Sequence, residues 1–304
     1  PGYSSSPTVH LLSHESPIFG PSQALQLLRM CSRLEECALI VKTAFDMDHT
    51  FGSVVVQTKP SPPVVLPFLH TLRLEGPHPP AHFGQALYLP SLKTLIVNGY
   101  SDFRMEEDNA IVSIIRRHGS QLTNVTFSYM DLSPSALDSC IESLPNVVSL
   151  SLIGDIFRTL GFAAYQGSAA TELTVSEPYT PALLRKLIPE GLGSTCYCPK
   201  LKRLRWVENL DPLDVVDLIA SRRTVAPETA VSRLSSIAVK ASISSGVDVV
   251  ARLKEKGVDI EDMSITIKYP PPLNDGGRSE SIHLSISPFP ILWYPSNDNE
   301  GLFD

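Results

Sequence analysis

Leu66-Pro67-Phe68-Leu69-His70-Thr71-Leu72-Arg73-Leu74 decides the fold, because the chain repeats it. The phrase reads apolar, Pro, variable, apolar, two variable residues, apolar, variable, apolar. Leu89-Pro90-Ser91-Leu92-Lys93-Thr94-Leu95-Ile96-Val97 is a second copy, and Leu144-Pro145-Asn146-Val147-Val148-Ser149-Leu150-Ser151-Leu152 a third. Cys198-Pro199-Lys200-Leu201-Lys202-Arg203-Leu204-Arg205-Trp206 is a fourth. Its closing apolar-variable-apolar triplet has the two-residue period of a short strand with one buried face. A phrase that returns every few tens of residues marks stacked repeats, which bury their apolar residues only against their neighbours.

Weaker copies end in the same triplet: Cys37-x-Leu39, Val125-x-Phe127, Leu173-x-Val175, Ile237-x-Val239 and Met263-x-Ile265-x-Ile267. The first apolar residues of the triplets stand at 37, 72, 95, 125, 150, 173, 204, 237 and 263, at intervals of 35, 23, 30, 25, 23, 31, 33 and 26. The short intervals have the length of leucine-rich repeats, and the long ones imply inserted loops.

Helix signals lie between the triplets. Ser133-Pro134, Thr180-Pro181 and Asp211-Pro212 each put a capping side chain before a Pro at the first helical position. Apolar residues follow on one face, as in Leu137, Cys140, Ile141 and Leu144. Glu106, Glu107 and Asp108 are expected to begin another helix that Arg116, Arg117 and His118 end, with Gly119 in a left-handed turn. Val247–Lys256 followed by Gly257 reads the same way.

Strand, turn and helix in alternation predict an α/β fold: a leucine-rich-repeat solenoid, or horseshoe, with parallel strands on the concave face and helices outside. Residues 1–22 read as a lead-in and 23–269 as an array of about nine degenerate repeats. Residues 270–304 read as a Pro-rich C-terminal cap and tail, in which Ile282, Leu284 and Ile286 alternate like one more strand. Pro60, Pro62 and Pro63 place an irregular loop across Ser53–Val65.

Composition fits a surface more than a catalyst. The 304 residues are 43% hydrophobic and 19% charged, with net charge −7 and a pI near 5.6. That is a core-forming composition without the basic balance that nucleic-acid binding demands. No apolar run has the length of a membrane span, and Pro1–Pro7 has neither the basic nor the apolar region of a secretory signal. The expected location is cytoplasmic or nuclear. Three of the five cysteines, Cys31, Cys37 and Cys140, fall at core-facing positions and read as reduced, buried hydrophobes.

No pattern of catalysis or metal binding stands out. Pro77, Pro79 and Pro80 argue against a regular helix that would align His78 with His82 as metal ligands. Cys196-Tyr197-Cys198 lacks a second cysteine pair, and Cys198 fills a phrase position held elsewhere by Leu. Asn124-Val125-Thr126 is a formal glycosylation sequon inside an expected strand. Phosphate loops, dinucleotide turns and nucleophile elbows are missing from the sequence. We therefore expect no catalytic residues, no cofactor, no bound metal and no enzyme activity. An unrecognised hydrolase or transferase is the remaining enzymatic alternative.

The variable positions of the triplets should face outward together. They run Thr71, Arg73, Glu75; Thr94, Ile96, Asn98; Asn124, Thr126, Ser128; Ser149, Ser151, Ile153; Glu172, Thr174, Ser176; Arg203, Arg205, Val207; Ser236, Ala238, Lys240. Short polar groups here can simply keep a sheet face wet. Flanked by charge, they also suit a strip that binds a protein or peptide, with Arg73, Arg203, Arg205 and Lys240 as anchors and Ile96, Asn98 and Ile153 between them.

The Leu-Pro-x-Leu-x-x-Leu-x-Leu phrase, the uneven repeats and the Pro-rich tail resemble the leucine-rich-repeat region of fungal F-box proteins. Arg33-Leu34-Glu35-Glu36-Cys37-Ala38-Leu39 and Leu66–Leu72 carry the likeness, which covers Ala24 to Tyr269. The helical F-box that defines the family is not found in these residues, and the resemblance implies that it lies before Pro1. It further implies an SCF-type ubiquitin-ligase receptor, holding a protein substrate on the concave face and a SKP1-type adaptor through that F-box. A leucine-rich-repeat scaffold or regulator binding another cytosolic protein is the alternative. Neither nucleic acid nor a membrane is an expected partner.

Overall fold

A computed structural model of the chain describes residues 8–10, 19–41, 62–76, 79–98, 109–129, 132–153, 180–189, 196–226, 229–241, 247–268 and 283–286. It is a mixed α/β protein with extensive parallel sheet. The chain divides into two compact units, Pro1–Ala170 and Thr171–Asp304.

In the first unit the triplets are strands. β1 (Thr8–His10), β2 (Glu36–Ile40), β4 (Thr71–Glu75), β6 (Thr94–Asn98), β7 (Asn124–Ser128) and β8 (Ser149–Ile153) lie side by side in chain order, all parallel. The triplets are in phase: Cys37 pairs with Leu72, Leu72 with Leu95, Leu95 with Val125 and Val125 with Leu150. Burial explains the phase. Leu72, Leu74, Leu95, Val97, Val125, Phe127, Leu150 and Leu152 are all buried, while the residues between them are half-buried. A slip by one residue would turn every apolar side chain outward. β1 falls inside the expected lead-in. Three residues carry too little pattern to announce a strand, and pairing with β2 supplies the backbone partners that they lack alone.

Two backbone bonds recur along the described strands of this unit. A tight turn closes the start of the phrase: Leu34 N–H donates to Cys31 O, Leu69 to Leu66, Leu92 to Leu89, Leu122 to Gly119 and Val147 to Leu144. Just before each strand, one carbonyl then accepts two N–H groups of the next repeat. Glu35 O takes those of His70 and Thr71, His70 O those of Lys93 and Thr94, Lys93 O those of Thr123 and Asn124, and Thr123 O those of Val148 and Ser149. Proline at the second phrase position loses nothing, because its missing N–H would have no partner in this turn. Polar side chains at the third position extend the ladder. Ser91, Gln121 and Asn146 donate back to the carbonyls of Pro67, Leu89 and Ser120 in the preceding repeat.

Helices connect the strands. α1 (Pro21–Met30) starts with Pro at its first position. α2 (Ala81–Ala86) follows Pro79 and Pro80 directly, and His82 lies exposed upon it. Pro79 and Pro80 stand before the helix rather than inside it: proline blocks a helix interior, whereas before the first turn its fixed φ leads into one, so His82, expected in a loop, lies on a short helix. His78 lies outside the described residues. α3 (Ala110–His118) takes Asn109 as cap, whose side chain accepts from Val112 N–H. Residues 106–108, expected to begin that helix, are also outside the described set. α4 (Pro134–Glu142) is capped by Ser133, as its sequence predicts. A second, two-stranded parallel sheet joins β3 (Val64–Val65) to β5 (Leu87–Tyr88), so the irregular loop expected through Val65 ends in a short strand.

Gly119 departs from its expected left-handed turn. Its φ of −58° is right-handed, and the chain continues into a 3-10 turn over Gly119–Gln121. Close packing is the reason for glycine here: a Cβ would lie 2.2 Å from the Ser143 carbonyl oxygen of the next repeat. Gly119→Ala is therefore expected to cost about 1–3 kcal/mol through overpacking. Gly257→Ala, with open space around its Cβ but φ of +68°, should cost about 1 kcal/mol through backbone strain instead. Chemical denaturation of the two variants checks this order. An alanine at position 119 as stable as the native chain would refute the contact.

In the second unit, α5 (Thr180–Leu187), β9 (Arg203–Leu210), α6 (Pro212–Arg223), β10 (Ser236–Ala241), α7 (Val249–Glu255) and β11 (Ser264–Lys268) alternate. β9, β10 and β11 are parallel and adjacent. The pre-strand ladder recurs: Lys202 O accepts from Ser235 and Ser236 N–H, and Ser235 O accepts from Ser264 N–H. Asp211 and Asp248 cap α6 and α7. β12 (His283–Ile286) pairs antiparallel with β11, a strand where the alternation of Leu284 and Ile286 expects one. The triplet Leu173–Val175, and the cap residues Ile282 and Phe289–Trp293, lie outside the described residues.

Candidate functional site

Alternation and register turn the variable positions into rows. Across the first unit, Glu36, Thr71, Thr94, Asn124 and Ser149 form one row, and Ala38, Arg73, Ile96, Thr126 and Ser151 the next. Ile40, Glu75 and Asn98 follow, and Ser128 pairs with Ile153. Parallel strands stand about 4.8 Å apart, so row neighbours touch. Asn124 Nδ2 donates to Thr94 Oγ1 at 3.4 Å and to Thr123 Oγ1 at 3.2 Å. The sequon residue is thus half-buried within the sheet face.

The structure brings Arg73 and Ile96 together as direct row partners, with Asn98 beside Glu75. Arg73 does not stand alone. Its Nε donates to Glu75 Oε1 at 2.6 Å, and both side chains are partly exposed. Two residues apart on a strand, they share a face by the period that makes the row. This pairing was available from the sequence as Arg-x-Glu. Ile96 and Ile153 are half-buried rather than exposed, and Ala38 and Ser128 are buried although they stand at outward positions. Beside Arg73, His70 Nε2 lies 3.9 Å from Glu35 Oε2 and its Nδ1 3.2 Å from Thr71 Oγ1.

The second unit carries the basic residues. Arg203, Ser236 and Ser264 form one row, and Arg205, Ala238 and Thr266 the next. Arg203 and Arg205 are exposed. Arg205 still has enough neighbours for desolvation to lower its pKa from the ordinary value; an arginine so displaced keeps its charge at neutral pH. A β-bulge follows: the register shifts between Val239 and Lys240, so Lys240 pairs with Asn209 on one side and Lys268 on the other. The expected alignment of Lys240 with Val207 therefore fails. β9 carries two residues, Val207 and Glu208, without register partners on β10, and nothing in a repeat phrase announces such an insertion.

The cysteines are all free. Burial pushes the Cys37, Cys140 and Cys198 thiols up to about 12, so each remains protonated and unreactive at neutral pH. Cys31 is half-buried, less enclosed than its position in the pattern suggests. No group of three or more His, Cys, Asp or Glu among the described residues is placed to hold a metal ion. No helix among them is long and apolar enough to cross a membrane.

One polar cluster carries no sequence motif. Arg222 is fully buried on α6 and reaches no carboxylate in its hydrogen bonds. It donates to the carbonyls of Leu187 at 2.8 Å, Tyr197 at 2.9 Å, Cys198 at 3.3 Å and Leu201 at 3.5 Å, and to Cys196 Sγ at 3.7 Å. Cys198 is the one non-glycine among the described residues with positive φ, at 50°. The guanidinium therefore fastens a left-handed turn to the end of α5. Its neighbour Arg223 pairs with Asp262 and donates to Asp259 O. The signal was present as spacing: Val215, Leu218, Ile219 and Arg222 fall on one helical face.

With this geometry in place, comparisons with known proteins find no match: no family model, no curated protein and no solved structure corresponds to the chain.

Proposed function

We propose that the chain is a leucine-rich-repeat solenoid of the F-box-protein type. In this reading it is a non-enzymatic module whose sheet face receives a protein or peptide, as the substrate-recognition region of an SCF-type ubiquitin-ligase receptor. The carrying observation is the in-phase face itself. Successive parallel strands align hydroxyl, amide and isoleucine side chains in rows, while the opposite side of the same strands is buried. Such groups hydrogen-bond a partner without demanding one rigid shape. Arg203 and Arg205, two residues apart on β9, present adjacent planar forks suited to carboxylate or phosphate. The favoured ligand is accordingly an acidic or phosphorylated segment. The adaptor-binding F-box of this reading rests on the sequence resemblance. A scaffold or regulator with the same face and another partner is the second reading.

Proximity labelling in cells identifies candidate partners, and their affinities are then measured with purified proteins. Arg203→Glu with Arg205→Glu should weaken binding of the partner about a hundredfold or more, the scale of two lost hot-spot arginines, with the melting temperature nearly unchanged. Undiminished binding by this double variant would remove the β9 face from the site.

A further inference from the structure

The phrase also builds a second surface, away from the sheet face. The residue before each tight turn occupies an equivalent position in successive repeats: Met30, Val65, Tyr88 and His118 precede Cys31, Leu66, Leu89 and Gly119. Three of the four are apolar and open to solvent: Met30 is 80% exposed, Val65 50% and Tyr88 50%. Val65 and Tyr88 are register partners on β3 and β5. Phe68, in the turn between Val65 and β4, is 58% exposed. It stands at the phrase position where Ser91, Gln121 and Asn146 use a polar side chain to bond the preceding turn. Phenylalanine cannot make that bond, so this repeat gives up a ladder contact and presents an aromatic ring to water. His118 is buried, its ring centroid 6.0 Å from that of Tyr88, and backs the stripe.

Charge along this edge runs against the rest of the chain. The turns 28–34, 62–69, 85–92 and 116–122 contain Arg29, Arg33, Arg116 and Arg117 and not one Asp or Glu, although the chain carries net charge −7. All four arginines are exposed. Arg29 Nη2 donates to Pro62 O at 2.6 Å, and Arg117 Nη1 to Gln85 O at 2.6 Å and Leu87 O at 3.1 Å. These bonds hold two guanidinium groups beside β3 and β5, so less side-chain entropy is lost when a ligand arrives.

We propose that this turn edge of the first unit docks a short acidic segment of another protein that also carries apolar side chains. Met30, Val65, Phe68 and Tyr88 receive the apolar groups, and the flanking arginines receive the carboxylates. Composition favours a protein over an anionic membrane. The cations are all arginine, and the exposed apolar residues include Met, Phe and Tyr, the set enriched in protein interfaces from which lysine is depleted. The surface belongs to the first unit and the β9 arginines to the second, and its occupancy does not depend on the sheet-face reading.

Selection of random short displayed peptides against the intact chain, followed by affinity measurement, tests the proposal. Enriched peptides should combine Asp or Glu with Leu, Phe or Trp. Their binding should fall about tenfold or more with Phe68→Ser and with Arg33→Glu, both solvent-facing substitutions expected to keep the melting temperature. The Arg203→Glu, Arg205→Glu variant should bind these peptides normally, which separates failure here from failure of the sheet-face reading. Failure to enrich peptides, enrichment without acidic residues, or binding indifferent to Phe68→Ser would overturn the proposal. Two further results would overturn it in favour of another occupant. One is co-sedimentation with phosphatidylserine-containing vesicles that Phe68→Ser abolishes. The other is a dimer in sedimentation velocity that the same substitution dissolves.

Discussion

Leu150→Ala should lower the unfolding free energy by about 2–5 kcal/mol, the cost of emptying a buried leucine site. Leu150 is 1% exposed on β8 and pairs in register with Val125. The repeat packs its leucines only against its neighbours, so the cavity has few ways to collapse. Ser151→Ala, one residue along and on the half-buried outward face, should stay within about 0.5 kcal/mol of the native chain. Urea unfolding of the pair is the check. Equal midpoints would refute the register from which both the core and the binding face are deduced.

Arg222→Met is expected to cost about 3 kcal/mol, and two opposing effects decide the sign. Burying a guanidinium costs several kcal/mol, so removing the charge returns part of that. Its removal also leaves the carbonyls of Leu187, Tyr197, Cys198 and Leu201 without this donor. An orphaned buried carbonyl costs about 1–3 kcal/mol each; Cys198 O keeps the Leu201 N–H, and the others together outweigh the relief. Burial lowers the Arg222 pKa, opposed by the nearby Cys196 and Cys198 sulfurs, yet the group stays cationic. Arg222→Lys should recover only part of the loss, since one ammonium cannot reach all the acceptors that the planar fork spans. Hydrogen exchange at Tyr197 and Leu201, whose N–H groups close this turn onto Lys186 and Cys198, should quicken in Arg222→Met. Melting and exchange identical to the native chain would show that the carbonyls find other donors.

Both proposed surfaces follow from one feature, the repeated phrase. Each repeat satisfies its backbone through its neighbours, which leaves the variable phrase positions able to differ without unfolding the chain. Arg73, Ile96 and Thr126 differ along one row of the sheet face, and Phe68, Ser91 and Gln121 along the turn edge. In the proposed function the sheet face draws its specificity from outward strand residues, and in the further proposal the turn edge draws it from the position after proline.

The amino-acid sequence by itself determined the strands and their phase. The triplets at Leu72, Leu95, Val125 and Leu150 have only one way to bury every leucine at once, and a two-residue period leaves no ambiguity about the outward side. It determined the caps at Ser133 and Asp211 too, because capping is a local bond between a side chain and an N–H two or three residues on. Tertiary structure alone decided what depends on residues far apart in the chain. β1 exists through its pairing with β2, and glycine at 119 answers to the Ser143 carbonyl of the next repeat. Lys240 faces Asn209 rather than Val207 because two extra residues bulge from β9, and Arg222 collects carbonyls from 21 to 35 residues away. Local propensity and periodicity act over a turn or a strand, whereas these contacts appear only once the repeats have stacked.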